Sequence, residues 1–498
     1  MKGIVTNFSL FHISSVDSKN FHLLAFFAPF VVRSIPELLM GGYVIGFDTI
    51  SYYVPVTWKW INYGVGFWEF FGSAPLFYLL LSGLTLAGVP LIVSLKVLPP
   101  ILHGLLGLAI LEYATKGLGW SAKKGLLASL LATLYFVGLR ISWDMLRSEL
   151  GLILLFAFLI TLQKCPSDLN WKRFGFLSLY AVLVVMAHQL VSLLMFIIVF
   201  AIALEKLIKR DYSFVGHLFM ACLPAIALFA LTVYADFLVL PSYTNDIVAS
   251  GRMIWFSLMG YSSIAEGVVN SVGFWLFCYF PLLPLIFLGI REFRRLELEA
   301  WVIWCLVGIS LPSFFPLSPL SYRWILLFNF PLAFFAVEGF RKLGSSLFKK
   351  GLAGFLVFLS FSFVFLPAES AFPYFSVYPY YVPSSMLQNS VPLSDCGDVV
   401  RALNWVKDNN IYGGEILLVH DAFNGWALLY ADGVEILRYG YALPESVALA
   451  LSQKGYGRIY LIWWVSGEGW HGQASLPSTF KEVFRSGRIA VYEFKASA

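Results

Sequence analysis

The sequence has few charged residues. Of its 498 residues, 13% are charged and 59% are hydrophobic, and the mean hydropathy is +0.77. A soluble protein needs about a quarter charged residues to cover its surface, so this composition argues against a soluble globular chain. The apolar residues also gather in repeated runs of roughly 20 residues, the length that crosses a bilayer. The sequence therefore predicts an integral membrane protein that crosses the membrane many times.

Cysteine is also sparse, and the common nucleotide and metalloenzyme motifs are missing. The cysteines, which are Cys165, Cys222, Cys278, Cys305 and Cys396, show neither metal-ligand nor disulfide-framework spacing. The sequence has no Gly-rich nucleotide loop, Walker motif, HExxH motif or GxSxG nucleophile with its partners. These absences argue against a zinc site, a disulfide scaffold, an ATP-driven pump and a membrane metalloprotease.

The formal charge of +5 comes from basic clusters that lie between apolar runs. Cytoplasmic loops of membrane proteins carry such an excess of Lys and Arg, so we expect no nucleic-acid partner. The clusters are Lys116 with Lys123 and Lys124, Lys164 with Lys172 and Arg173, Lys206 with Lys209 and Arg210, Arg291 with Arg294 and Arg295, and Arg341 with Lys342, Lys349 and Lys350.

Placing these clusters in the cytoplasm divides the chain into four parts. Residues 1–20 are predicted to be a cytoplasmic N-terminal segment, and residues 21–366 an α-helical polytopic domain with about eleven spans. Residues 367–394, rich in Pro, Tyr, Phe and Ser, are interpreted as a linker along the membrane surface, and residues 395–498 as an external soluble domain.

Two apolar runs in the membrane domain need separate treatment. Residues 125–139 are predicted to form one span. Residues 74–89 form a shorter run, which is interpreted as a helix that dips into the membrane or lies at its external surface. A full span over 74–89 is the alternative, and it would move every later loop to the other side.

Strand-like and helix-like patterns alternate in the C-terminal part of the chain, 395–498. This alternation predicts a small α/β domain with a largely parallel sheet. The loop 466–477 contains Trp470 and His471 among several glycines. It is long enough to cover a site.

Asp48 is the leading candidate for a catalytic residue. It follows the first predicted span, and it is flanked by glycines that let the backbone turn and by aromatic residues such as Tyr52 and Tyr53. A carboxylate in such a place can take a proton from an attacking hydroxyl group or bind a divalent cation. The alternative is that Asp48 only caps the next helix.

Three further positions could take part in a site. Glu69 lies among aromatic residues and could orient an acceptor or simply sit at the membrane interface. Asp144 could be a second acidic ligand, and its spacing allows an i,i+3 pair with Arg147; a salt bridge would account for Arg147 and Glu149. His188 interrupts an apolar run. It could be a functional residue, or a histidine that only lies at the membrane interface.

Arg323 is the only cation at the external end of its predicted span. A guanidinium group matches phosphate oxygens in a fixed fork, and the neighbouring Tyr322 adds a hydroxyl donor. The alternative is that Arg323 only reaches toward the membrane surface to keep its charge in water.

Together these motifs resemble the GT-C superfamily of polytopic glycosyltransferases, which use sugars linked to polyprenyl phosphate. The likeness covers residues 20–340 and is nearest to archaeal members and to the protein O-mannosyltransferase and aminoarabinose transferase branch. It rests on the segments 46–52, 74–78, 143–147 and 322–324. The chain departs from the family at Ala74, where a first Pro is usual, and in lacking a second acid beside Asp48.

The resemblance implies a GT-C-like fold and an inverting transfer of a sugar, a hexose such as mannose. The donor would be a polyprenyl-phosphate carrier, and the acceptor an external glycan, glycolipid or protein. Asp48 would act as base, Asp144 and Glu69 would orient the acceptor, and Asp48 with Asp144 would hold any Mg²⁺ or Mn²⁺. The substrate-binding residues would be Tyr52, Tyr53, Arg147, His188, Tyr322, Arg323, Trp470 and His471. The setting would be an archaeal plasma membrane.

Other functions stay open from the sequence. A transporter or flippase for lipid-linked saccharides would show an internal repeat with broken helices at the membrane midplane, and no convincing repeat is present. A glycan polymerase or ligase would carry a charged pair in a large late loop. A non-catalytic scaffold would leave the acidic residues without a purpose.

Overall fold

The computed structural model describes residues 18–163, 171–239, 264–290, 303–304, 321–366, 382–409, 415–439, 442–465 and 476–495. Its larger part is a helical bundle. The helices are α1 (Ser18–Leu39), α2 (Val54–Tyr63), α3 (Phe67–Gly72), α4 (Leu76–Leu86), α5 (Leu91–Glu112), α6 (Ala122–Leu134), α7 (Phe136–Asp144), α8 (Leu146–Gln163), α9 (Trp171–Ala187), α10 (Gln189–Ile208), α11 (Tyr212–Val239), α12 (Ile264–Tyr279), α13 (Leu283–Ile290), α14 (Ser321–Leu327), α15 (Asn329–Lys342) and α16 (Ser346–Phe365). Short π-helical turns occupy Thr49–Tyr53 and Tyr113–Gly117.

The bundle has the character of a multi-pass membrane protein, as predicted. Within the described ranges, eight helices are long and apolar enough to cross a membrane, and α6 with α7 makes a ninth if this bent pair is one span. The run 74–89 forms only the short apolar helix α4. Its length agrees with the interpretation of 74–89 as a segment that does not cross fully.

The predicted span 125–139 is broken at Tyr135, where the axis bends by 59° between α6 and α7. Gly138 permits the bend, because a Cβ atom there would lie 2.1 Å from the carbonyl oxygen of Ala132. A break inside a bundle frees carbonyl groups that need other donors. The amide of Asn329 donates to the oxygen of Ala132 at 2.6 Å, and Nε2 of His103 lies 3.0 Å from the oxygen of Thr133. The bend directs the end of α7 toward the candidate site.

The C-terminal part is an α/β domain, as predicted, with a sheet in the order β2-β1-β3-β5-β4. Strand β1 is parallel to β2 and β3, whereas β5 is antiparallel to β3 and β4. Because β5 runs antiparallel to both of its neighbours, the sheet is less parallel than predicted. The elements are α17 (Leu393–Asn409), β1 (Glu415–Val419), α18 (Asp421–Tyr430), β2 (Glu435–Arg438), α19 (Pro444–Gln453), β3 (Arg458–Trp464), β4 (Phe480–Ser486) and β5 (Ile489–Phe494).

Within the described part of the predicted linker, 382–394, the segment 382–392 that precedes α17 does not run along a surface. All of its residues are buried except Ser384, which is partly buried. Its backbone instead packs between the helical bundle and the sheet domain, where polar groups find hydrogen-bond partners. The composition of 367–394 suggested exposure, but residues 367–381 lie outside the described part and 382–392 is an interior segment.

Candidate active site

A cavity of about 300 Å³ at one end of the bundle brings most of the predicted site residues together. Polar groups that converge in one cavity are the usual signature of a binding or catalytic site. The cavity is lined by Asp48, Tyr52, Tyr53, Tyr78, Met145, Arg147, Ser148, His188 and Arg323. Sequence reasoning singled out six of these and missed Tyr78, Met145 and Ser148, although Tyr78 belongs to the segment 74–78 that carried the family resemblance.

Asp48 lies in the loop between α1 and the π-helical turn Thr49–Tyr53. The loop passes close to α7, and a Cβ atom at Gly46 would lie 2.2 Å from the carbonyl oxygen of Trp143. Gly46 also has a φ of 97°, which is a conformation that favours glycine. Within the described chain the side chain of Asp48 makes no capping hydrogen bond, which argues against the helix-cap alternative.

The electrostatic environment of Asp48 is unusual for a carboxylate. Burial raises its pKa to about 7, the nearby negative charge of Asp144 adds to the increase, and the positive charges of Arg323, Arg140 and Arg147 oppose it. Its side chain is 17% exposed. Asp48 is therefore partly ionised near neutral pH, which is the range in which a general base works best.

Asp144 is the last residue of α7 and lies behind the cavity, next to Asp48. It accepts a hydrogen bond from the backbone of Asp48, and the hydroxyl of Tyr53 donates to its carbonyl oxygen at 2.7 Å. Its carboxylate pairs with Arg140, one turn earlier on α7. The predicted pairing with Arg147 is wrong, because the chain turns at Met145 and Arg147 belongs to the next helix, α8.

Arg147 and Glu149 do not share a structural salt bridge either. Glu149 contacts Nδ1 of His103 at 2.6 Å, while Arg147 faces the cavity with its guanidinium 5.2 Å from the ring centre of Tyr78. In the part of the chain that the structure describes, the buried Nε of Arg147 has no hydrogen-bond partner. A buried donor without a partner costs about 1–3 kcal/mol, so an anionic ligand in the cavity would relieve this cost.

Arg323 lies in the first turn of α14 and lines the cavity beside Asp48. Its Nη2 is 3.6 Å from Oδ2 of Asp48, and its Nε donates to the hydroxyl of Tyr322 at 3.0 Å. Tyr322 does not line the cavity itself; it holds the guanidinium that does. Two arginines therefore border the same small space as the candidate base.

His188 completes the polar lining at the junction between α9 and α10. Its Nε2 lies 3.1 Å from Oγ of Ser148. Its Nδ1 is buried, and among the described residues no atom hydrogen-bonds to it. A ligand in the cavity could supply that partner.

Glu69, like Asp144 and Tyr322, does not line this cavity. Glu69 contacts Lys59 through both carboxylate oxygens at 2.9 Å. Trp470 and His471 lie outside the described residues. Among the residues that the structure describes, no group of three or more His, Cys, Asp and Glu side chains could hold a metal ion.

A second, apolar cavity of about 420 Å³ lies between helices of the bundle. It is bordered by α1, α6, α13, α15 and α16, and residues such as Leu131, Leu285 and Leu356 line it. Among the described residues that line it, only Tyr135 and Ser360 carry polar groups on their side chains. Such a lining suits a hydrocarbon chain and not a polar ligand.

The fold is similar to that of a solved membrane protein. The crystal structure of ArnT from Cupriavidus metallidurans bound to undecaprenyl phosphate aligns with a TM-score of 0.57 over 95% of this chain and 97% of that chain, at 11% sequence identity. The predicted GT-C-like fold is thereby confirmed; at this identity the likeness establishes the fold alone. Neither protein-family models nor curated protein sequences match the chain.

Proposed function

We propose that this protein is a membrane glycosyltransferase that moves a sugar from a polyprenyl-phosphate carrier to a hydroxyl group of an acceptor. The observation that carries the proposal is the cavity in which Asp48 faces the guanidinium groups of Arg147 and Arg323. A general base and cations that can stabilise a phosphate group suit this reaction. The similarity of the fold to ArnT bound to undecaprenyl phosphate supports the same class of lipid substrate.

Asp48 acts as the general base in this proposal. The acceptor oxygen attacks the anomeric carbon from the side opposite the phosphate, and its proton passes to the Asp48 carboxylate. The bond between the anomeric carbon and the phosphate oxygen breaks, and its electron pair leaves with the polyprenyl phosphate. The anomeric configuration is inverted. A pKa of about 7 makes Asp48 a stronger base than an ordinary aspartate.

Arg323 and Arg147 stabilise the departing phosphate. Negative charge on the phosphate grows in the transition state, and fixed cations aimed at it stabilise such charge strongly. Tyr322 positions the guanidinium of Arg323. The donor Nε of Arg147, which has no partner among the described residues, would gain one from a phosphate oxygen.

The aromatic lining would hold the sugar, and Asp144, which lies behind the cavity, would orient the acceptor through Asp48. Tyr52 and Tyr53 border the cavity beside Asp48, and aromatic faces with hydroxyl groups suit an amphipathic sugar ring. We assign acceptor orientation to Asp144 and not to Glu69, because Asp144 contacts the backbone of Asp48 while Glu69 is paired with Lys59. A hexose such as mannose is our proposed sugar.

The apolar cavity would receive part of the polyprenyl tail. Burying a hydrocarbon chain there is favourable by about 25 cal/mol per Å² of apolar surface. The active cavity and the sheet domain would lie on the external side of the plasma membrane, because the basic clusters between helices favour the cytoplasm.

The residues present fit a divalent cation poorly. Asp144 is already paired with Arg140, and Asp48 faces Arg323. These guanidinium groups occupy the neighbourhood that a cation bound by both carboxylates would need, and positive charges repel it. We therefore propose that the arginines take the electrostatic role and that transfer needs no metal.

The direct test is transfer with purified protein, radiolabelled mannosyl- and glucosyl-polyprenyl phosphates and a crude extract of cellular acceptors. We expect label in a new product whose glycosidic bond is inverted relative to the donor. Saturable donor binding without any product would contradict the proposal and favour a transporter or flippase for lipid-linked saccharides.

A further inference from the structure

One buried segment from the C-terminal half of the chain contacts both the loop that carries Asp48 and the end of α7 that carries Asp144. This segment, 382–392, leads into α17 and has no regular secondary structure over its length. It contributes no residue to the cavity lining. Any effect it has on the reaction must therefore act through the residues it holds.

A single carbonyl group accepts hydrogen bonds from both the loop before Asp48 and the end of α7. The oxygen of Gln388 accepts a hydrogen bond from Nε1 of Trp143 at 2.9 Å and from the backbone N–H of Gly46 at 3.3 Å. Trp143 directly precedes Asp144, and Gly46 lies two residues before Asp48. The first loop and the end of α7 are thus fastened to the same atom.

The side chain of Asn389 strengthens this attachment. Its amide donates to the carbonyl oxygen of Val44 at 2.8 Å, and its own oxygen accepts from the backbone N–H of Val391 at 2.9 Å. Asn389 is fully buried, so loss of either partner would leave a buried polar group unsatisfied. The asparagine therefore holds the first loop against 382–392.

The sheet domain holds the other side of this segment. The hydroxyl of Ser390 donates to the carbonyl oxygen of Ala422 at 2.5 Å and accepts from Nε1 of Trp426 at 3.1 Å. Helix α18 also rests on the turn that follows Asp48, because a Cβ atom at Gly425 would lie 2.0 Å from the oxygen of Ile50. The sheet domain thus packs onto the turn that follows Asp48.

We infer that 382–392 and the sheet domain complete the active site by fixing Asp48 and Asp144 relative to each other, with Trp143 and Asn389 as the positioning residues. This inference rests on the proposed function. The contacts act on the backbone next to each acid, where a small displacement changes the alignment of a base with its substrate. A misplacement of about 1 Å can cost roughly a hundredfold in rate.

The test uses two substitutions that remove a hydrogen bond and keep most of the packing. Trp143→Phe removes the indole N–H, and Asn389→Ala removes the amide. Each has a matched control in the sheet domain: Trp405→Phe, and Asn409→Ala, whose amide donates to the carbonyl of Trp405. We expect kcat to fall by about tenfold to a hundredfold in the first pair, with donor KM close to wild type and a folded protein of lower thermal stability because a buried hydrogen bond is lost, and no change of kcat in the controls.

A pH profile separates positioning from general loss of structure. If the two acids move apart, the pKa of Asp48 falls, because its neighbour Asp144 and its burial raise it, and the acidic limb of kcat shifts to lower pH. The ionisable groups that face Asp48 come from α4, α7, α8, α14, its own turn and the junction between α9 and α10. They are Asp144, Arg140, Arg147, Arg323, Tyr52, Tyr53, Tyr78 and His188.

The outcomes are distinguishable. Suppose that Asp48→Asn is inactive, but Trp143→Phe and Asn389→Ala both keep the wild-type kcat and an unshifted acidic limb of the pH profile. This result would overturn the inference and leave the proposed function intact. An equal loss of kcat in the sheet-domain controls would also overturn it. Absence of transfer by the wild type would contradict the proposed function itself.

Discussion

The carboxylate of Asp48 and the guanidinium of Arg323 lie 3.6 Å apart, although one precedes almost all of the membrane helices and the other follows most of them. The helical bundle thus places the candidate base and the candidate phosphate-binding residue in one cavity. In the proposed reaction, this arrangement would couple proton removal at the acceptor to charge stabilisation at the leaving group.

The pH dependence of turnover should report the raised pKa of Asp48. Since the carboxylate must be ionised to accept a proton, and its pKa is about 7, kcat should fall as the pH drops below 7 and approach a tenfold loss per pH unit. The measurement is kcat at saturating donor over a pH series. An acidic limb near the ordinary aspartate range would show that Asp48 does not limit the reaction.

Replacing Arg323 by Lys should slow the chemical step. Lysine keeps the positive charge but loses the planar fork that matches phosphate oxygens, so kcat should fall by about a hundredfold. The matched control is Arg401→Lys on the sheet domain, where Arg401 pairs with Asp398 away from the cavity. Equal turnover in Arg323→Lys and the wild type would remove Arg323 from the mechanism.

Chelation should leave the activity in place. Because guanidinium groups already neutralise both carboxylates, transfer should continue after dialysis against EDTA. The assay compares kcat in EDTA with kcat after addition of Mg²⁺ or Mn²⁺. Activity that disappears in EDTA and returns with either cation would establish a metal at Asp48 and Asp144.

Filling the apolar cavity should weaken recognition of long-chain donors. Leu131→Phe adds bulk to a cavity-lining position, so the KM for a long polyprenyl donor should rise several-fold while a short-chain donor is unaffected. Leu204→Phe is the control, since Leu204 is 46% exposed on α10 and borders no part of this cavity. An equal KM for long chains in both variants would place the tail elsewhere.

Local sequence patterns predict the bundle and much of the site. Apolar runs fix which segments become helices, and the residues beside Asp48 indicate a loop with a functional carboxylate. Those patterns depend only on neighbours in the chain. The same kind of pattern identifies Arg323, because a single cation stands at the end of an apolar run.

Contacts between distant segments could not be predicted in the same way. The pairing of Asp144 with Arg140 depends on where α7 ends, and the i,i+3 and i,i+4 spacings are equally possible from sequence. The partner of Glu149 is His103, on another helix. The burial of 382–392 depends on surfaces from both halves of the chain, so its Pro- and Ser-containing composition suggested an exposed linker.

The most direct test of the account compares the wild type with Asp48→Asn for sugar transfer and donor binding in one preparation. The amide keeps the shape of the side chain but cannot accept the proton, so we expect transfer to fall by at least about a hundredfold with donor affinity retained. Asp432→Asn, at an exposed turn, should behave as the wild type. Undiminished transfer by Asp48→Asn would contradict the central claim that Asp48 is the base.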